Sequence, residues 1–287
     1  MRIANLAGRV CLVRDDQALD VHDASGGRFS PDPQGIYPQW DEFSAWASTA
    51  WNGAAGARPF TVEQLGPPVP RPAQVFAIGI NYAEHAAEAG YPPDAMPVTF
   101  TKFPTCLTGP EAVVELPSGS VDWEVELVVA IARRATRVSR DQAWAYVAGL
   151  TVGQDLSERQ VQLAGAKPQF SLGKSFPGFG PTGPWLVTPE EIDRPDDLEI
   201  SCALSGQVMQ SSRTSLMIYD IPELIVRLSR VCTLLPGDLI FTGTPAGVGN
   251  ARIPKRFITP ADVLVSTISG IGSMTTRFTT SPMPDTG

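Results

Sequence analysis

The stretch SVDWEVELVVAI, residues 120–131, carries Glu124 and Glu126 inside a run that otherwise reads as a buried strand. Residues two apart on a strand share a face, with Cα atoms about 7 Å apart, so these carboxylates stand side by side. Trp123, Val125, Leu127, Val129 and Ile131 fill the opposite face, while Val128 and Ala130 continue the acidic one, which argues for a strand covered on both sides. Ionised carboxylates do not persist away from water without compensation. The pair therefore needs a metal ion, or basic partners such as Lys102 or Arg159. Asp155 follows VAGLTVGQ, which reads as a strand leading to a helix start, and would complete an all-oxygen set suited to Mg²⁺ or Mn²⁺ with positions left for water or substrate. The alternative is that Asp155 only caps LSERQVQ.

A second constellation lies in NYAEHAAEAG, which reads as a short helix closed by Gly90. His85 and Glu88 are three apart, neighbours on one helical face, where the carboxylate could orient the imidazole and raise its basicity toward a bound water. The alternative is a surface histidine. The loop GTPAGVG lacks the G-K-[ST] of a phosphate loop, and its backbone N–H groups suit a carboxylate better than a nucleotide.

The elements that must position these groups are short. RIANL, RVCLV and QALDV read as strands, and PQWDEFSAWASTAW carries Phe43, Trp46, Ala47, Ala50 and Trp51 at helical spacing, a stripe read as core packing. Together they form a small α+β module over residues 1–70. LGPPVPRPAQ, residues 65–74, cannot continue a helix or strand and is the expected linker. Beyond it come the strand QVFAIGIN, the two-glutamate strand, RDQAWAYVAGL as helix into strand, and PELIVRLSRV as a helix with Leu224, Ile225, Leu228 and Val231 inward. The larger domain is expected over 71–279, and residues 280–287 read as a disordered tail. No internal repeat is present.

Among 287 residues, 27 prolines and 26 glycines indicate many turns and a strand-rich α+β build. A net charge of −8 without a basic stripe disfavours nucleic acid. No apolar run approaches the roughly 20 residues that cross a bilayer, and the N-terminus has no signal-peptide core, so a cytoplasmic protein without a membrane partner is expected. Four scattered cysteines suggest neither disulfides nor a thiolate metal site, and two histidines narrow the search for a base.

Taken in order, IGINYAEH, the E-x-E of DWEVEL, VGQDLSERQVQ, LGKSFPGFGPTGPW, RTSLMIYDIPELI and LPGDLIFTGTPAGVG resemble the fumarylacetoacetate hydrolase family over residues of about 72 to 278. The resemblance implies a mixed β-roll core preceded by a small N-terminal domain, and a homodimer. It implies that Glu124, Glu126 and Asp155 ligate Mg²⁺ or Mn²⁺, that His85 and Glu88 activate water, and that Lys174 meets substrate oxygens. Tyr82, Lys102, Arg159, Gln162 and Thr244 are the expected substrate contacts. Two departures bear on substrate choice: residues 86–101 carry no basic side chain, and Glu158 and Gln160 stand where relatives often have alanine and aspartate.

The expected reaction is hydrolysis of a carbon–carbon bond in an acylpyruvate or related 1,3-dioxo acid, a small anionic oxo acid. The cation at the 2-oxo acid end stabilises the departing enolate while hydroxide attacks the distal carbonyl. The rivals are decarboxylation or enol–keto isomerisation at the same site, and a non-catalytic metal-binding protein.

Overall fold

Both faces of the strand Val125–Ile131 are covered, as its uninterrupted apolar sequence requires, and every residue in it is buried. The computed structural model describes residues 1–52, 56–92, 94–117 and 119–280; the expected disordered tail falls almost wholly outside them. Val125, Leu127, Val129 and Ile131 belong to one core, shared with Leu224, Ile225, Ile200 and Leu264. Val128 and Ala130 belong to a second, shared with Ile3, Val10, Leu12 and Phe43 of the N-terminal module. One strand thus separates two apolar layers, and its acidic end projects from the face that the second layer covers farther along.

The main sheet runs in the order 58–59, 17–20, 9–14, 2–6, 180–187, 147–154, 125–131, 239–241, 75–79 and 98–101. Most neighbours are antiparallel, but Leu239–Phe241 runs parallel to Val75–Gly79. A five-stranded sheet, 207–213, 199–204, 263–268, 272–280 and 111–116, closes the other side of the first core, and its last pair is parallel. This is a strand-rich α+β architecture with a mixed β-roll core.

The expected strands RIANL, RVCLV and QALD form at 2–6, 9–14 and 17–20. They do not make a sheet of their own, since Arg2 and Ile3 pair with Val187 and Leu186. The proline-rich segment is not a free spacer either: Leu65–Gly66 pairs with Asn5 and Leu6, the Asn5 amide donates to the Pro67 carbonyl, and Val69 is buried. The aromatic stripe packs as core, with Phe43 against Phe29, Trp40 and Trp46.

Asp220 caps the helix Ile221–Val231 by accepting from the Glu223 N–H at 2.9 Å. Leu224, Ile225 and Leu228 face inward, but Val231, expected beside them, is 86% exposed. The helix ends over an open groove lined by Phe76 and Met96, so its last turn overhangs the core. Cys11, Cys106 and Cys202 are buried and all four cysteines are unpaired. Among the described residues no helix is long and apolar enough to cross a membrane.

Candidate active site and metal centre

The antiparallel pairing of Val125–Ile131 with Val147–Gln154 aligns Val125 with Gln154 and Glu126 with Gly153. Asp155, one residue past its strand, is thereby set beside Glu124, whose carbonyl accepts from the Asp155 N–H at 2.9 Å. Glu124, Glu126 and Asp155 each offer an oxygen such that all three lie within 4.8 Å of one another, and all are buried. Asp155 does not cap the following helix. That part falls to Glu158, which accepts from the Val161 N–H at 2.6 Å and, with its other oxygen, from the Ser120 N–H at 2.8 Å. The departure at Glu158 is thus a structural brace.

The acidic cluster is also ion-paired. Lys174 Nζ donates to Glu124 Oε2 and Asp155 Oδ2, both at 2.7 Å, and to Ser157 Oγ at 2.9 Å. Arg159 reaches Glu124 Oε1 at 2.7 Å, Asp122 Oδ1 at 2.6 Å and Gln162 Oε1 at 2.7 Å. Lys102, wholly buried, donates to Asp155 Oδ1 at 2.7 Å and to the carbonyls of Lys174 and Phe179. Its three N–H bonds are consumed in this way, as are those of Lys174.

Four carboxylates (Asp122, Glu124, Glu126, Asp155) therefore meet three cations (Lys102, Lys174, Arg159), and Glu126 is the one without a cationic partner among the described residues. Burial, reinforced by Asp155 and Glu124, pushes its carboxyl well above the usual range, although it accepts from the Gly243 N–H at 2.8 Å. Burial also acts against Glu124, but Lys174 and Arg159 outweigh it and hold that group down at about 2. A hard divalent cation fits this donor set: three carboxylates converge, all oxygen, with one more negative charge than the protein neutralises. The lowered Glu124 value sets a pH dependence. Its stabilisation is present above the ordinary 4.5 and lost as pH falls toward about 2. Urea midpoints of metal-free protein should fall over that range, and less steeply in Lys174→Met.

His85 and Glu88 lie on the helix Ala83–Glu88, and the His85 Nδ1 to Glu88 Oε1 distance is 2.7 Å. A carboxylate only accepts, so Nδ1 carries the proton shared with Glu88, which in the neutral ring leaves Nε2 its lone pair. His85 is 8% exposed, not a surface residue. Glu88 is held in turn by the Gly247 N–H, at 3.0 and 2.9 Å from its two oxygens. The glycine loop thus does hold carboxylates, but they are the protein's own: Glu126 through Gly243 and Glu88 through Gly247. Both glycines need φ near +100°, at +101° and +109°. A Cβ would stand 2.7 Å from Asn81 Cβ at the first and 2.2 Å from the Met209 carbonyl at the second.

Thr244 is buried, with its hydroxyl donating to the Val125 carbonyl at 2.9 Å and accepting from Gln210 at 2.7 Å. The Tyr82 hydroxyl is buried with no partner among the described residues. Two contributors escaped the sequence reading. Asp122, bound to Arg159 and to the Asn250 N–H, continues the alternation of Glu124 and Glu126, which was the available signal. Gln210 ties the Val125 N–H to Thr244 and the Pro245 carbonyl from a distant strand, with no local signal.

Residues 74–279 match the family described as fumarylacetoacetate (FAA) hydrolase C-terminal, and the chain belongs to that family of enzymes. A Mycobacterium smegmatis structure described as an HpcE protein is similar over 98% of this chain and 100% of its own, with 53% identity and a TM-score of 0.93. Maleylpyruvate hydrolase from Sphingobium sp. SYK-6, solved with manganese(II) and pyruvate, is 27% identical at a TM-score of 0.80, covering 98% of this chain and 100% of its own. The mitochondrial oxaloacetate tautomerase of Bos taurus is 43% identical over 207 residues, 71% of this chain. The match spans just under two thirds, 66%, of that relative's length.

Proposed function

We propose that the protein is a metal-dependent hydrolase that cleaves the carbon–carbon bond of an acylpyruvate or related 1,3-dioxo acid. The observation that carries this is the His85–Glu88 dyad, with Nδ1 bonded to the carboxylate, beside the three-carboxylate centre. Glu124, Glu126 and Asp155 would hold Mg²⁺ or Mn²⁺, which supplies a Lewis acid for the 2-oxo carboxylate end and for enolate charge. His85 Nε2 takes a proton from water, and the hydroxide oxygen bonds to the distal carbonyl carbon. The bond from that carbon to the methylene then breaks, its electron pair passes to the enolate, and the proton held by His85 returns to the methylene carbon. Lys174, positioned on Glu124 and Asp155, offsets negative charge, and the unpartnered Tyr82 hydroxyl offers the substrate a donor. Arg159 and Gln162 fix the Glu124 carboxylate, and Gln162 presents its remaining amide group.

The manganese and pyruvate in the maleylpyruvate hydrolase structure support this reading. The tautomerase relative favours a second one, enol–keto isomerisation of a 2-oxo acid, which needs the enolate but no attacking water. Acetylpyruvate turned over in ¹⁸O-water separates them: hydrolysis places the label in acetate, whereas tautomerisation of oxaloacetate with no cleaved acid from any acylpyruvate would replace the hydrolase reading. Chelation followed by dialysis should remove activity, and Mn²⁺ or Mg²⁺ should restore it. Full turnover by chelated protein would refute the metal centre. The reading includes the cytoplasmic homodimer expected above, and light scattering at twice the chain mass checks the dimer.

A further inference from the structure

The Gly247 carbonyl, on the far side of the residue whose N–H holds Glu88, accepts from Trp123 Nε1 at 3.1 Å and from Arg252 Nε at 3.3 Å. Arg252 Nη2 continues to the Met209 carbonyl at 2.7 Å, and its guanidinium lies 5.8 Å from the Trp123 ring centroid. No carboxylate pairs with Arg252 among the described residues, and its Nε and Nη2 donors go to backbone carbonyls. Gly247 is thereby fixed from three directions: by Met209, within 2.2 Å of where a Cβ would stand, by Trp123 and by Arg252.

We propose that Trp123 and Arg252 are positioning residues that act through Gly247 on Glu88, and through Glu88 on the protonated Nδ1 of His85. Trp123 adjoins Glu124 and projects to the opposite face of the strand, so the segment that carries two metal-ligand candidates also anchors the dyad. Gly243 and Gly247, four residues apart on the loop, then hold Glu126 and Glu88 at a set separation. A base and a cation-binding centre from segments remote in the chain are kept in register by one strand and one loop. Outer groups that orient a reacting side chain commonly matter by 10- to 100-fold, and the latch belongs to that kind.

This inference rests on the dyad reading, and two measurements keep the two separable. In kinetics on acetylpyruvate with Mn²⁺, Arg252→Met and Trp123→Phe should each lower kcat about tenfold or more with KM within about twofold, and Arg252→Lys should recover part of the loss. Arg252→Met combined with Glu88→Gln should be no slower than Glu88→Gln alone, because removing Glu88 disconnects the latch. A full additional tenfold loss in the double variant would overturn the proposal. In proton NMR of the intact protein, the hydrogen-bonded Nδ1 proton of His85, identified by its loss in His85→Ala and distinguished from the single other histidine, should vanish in Glu88→Gln. It should weaken or move upfield in Arg252→Met. If Glu88→Gln leaves hydrolysis intact, the dyad reading fails, while the resonance still reports whether Arg252 orders Glu88. An unchanged resonance in both Arg252→Met and Trp123→Phe would sink the latch whatever the kinetics show.

Discussion

Glu126→Gln is expected to lower turnover by at least about 10³-fold, the loss of several kcal/mol of metal-dependent stabilisation, while leaving the metal-free protein at least as stable as the wild type. Glu126 is the carboxylate that forms no ion pair among the described residues, and it is buried near Asp155 and Glu124. Its raised folded-state value means that the metal-free protein is favoured by protonation, so stability is present below the ordinary 4.5 and lost as pH rises through the raised value. Glutamine is a neutral isostere that keeps an acceptor for the Gly243 N–H and removes this loss. Thermal melting after chelation should show an equal or higher midpoint for the variant at neutral pH. Addition of Mn²⁺ should raise the midpoint of the wild type and barely move that of the variant, since the donor set falls from three carboxylates to two. Retained turnover would refute the assignment of Glu126 to the cation.

His85→Ala is expected to suppress hydrolysis by about 10²- to 10⁴-fold, the range for a positioned general base, with cation affinity preserved. The imidazole is bonded to Glu88 and not to Glu124, Glu126 or Asp155, so the metal-ligand candidates keep their partners when it is removed. Calorimetric titration with Mn²⁺ should give affinities within about threefold of wild type, and the folded midpoint should change little. Together the two variants divide the site: one loses the cation and turnover, the other turnover alone. Unchanged hydrolysis in His85→Ala would refute the water-activating dyad and leave enolisation at the carboxylate centre as the better reading.

Several parts of this arrangement were legible because they are local. The alternation along DWEVELVVAI sets Glu124 and Glu126 on one side of a strand, and the three-residue spacing sets His85 beside Glu88, whatever the rest of the chain does. The same locality made the helix within PELIVRLSRV and the first three strands readable. Val231 was misplaced because helical spacing predicts a face but not where the core beneath it ends. The proline-rich segment was expected as a linker because composition shows that it cannot continue an element, and shows nothing of the edge it pairs with. The three partners of Lys102 come from segments remote in the chain, and no local pattern names them.

Residue type and short-range periodicity, then, determined by themselves that Glu124 and Glu126 share a face, that His85 and Glu88 are within reach of each other on a helix, the strand-rich build and the order of motifs that marks the family. Tertiary structure alone decided which cations neutralise which carboxylates, that the N-terminal strands extend the main sheet, and that Gly247 grips Glu88 across 159 residues of chain. The division has a physical cause. Covalent geometry dictates which side chains share a face over a few residues, whereas contacts between remote segments depend on sheet order and on which polar groups must be satisfied once water is excluded.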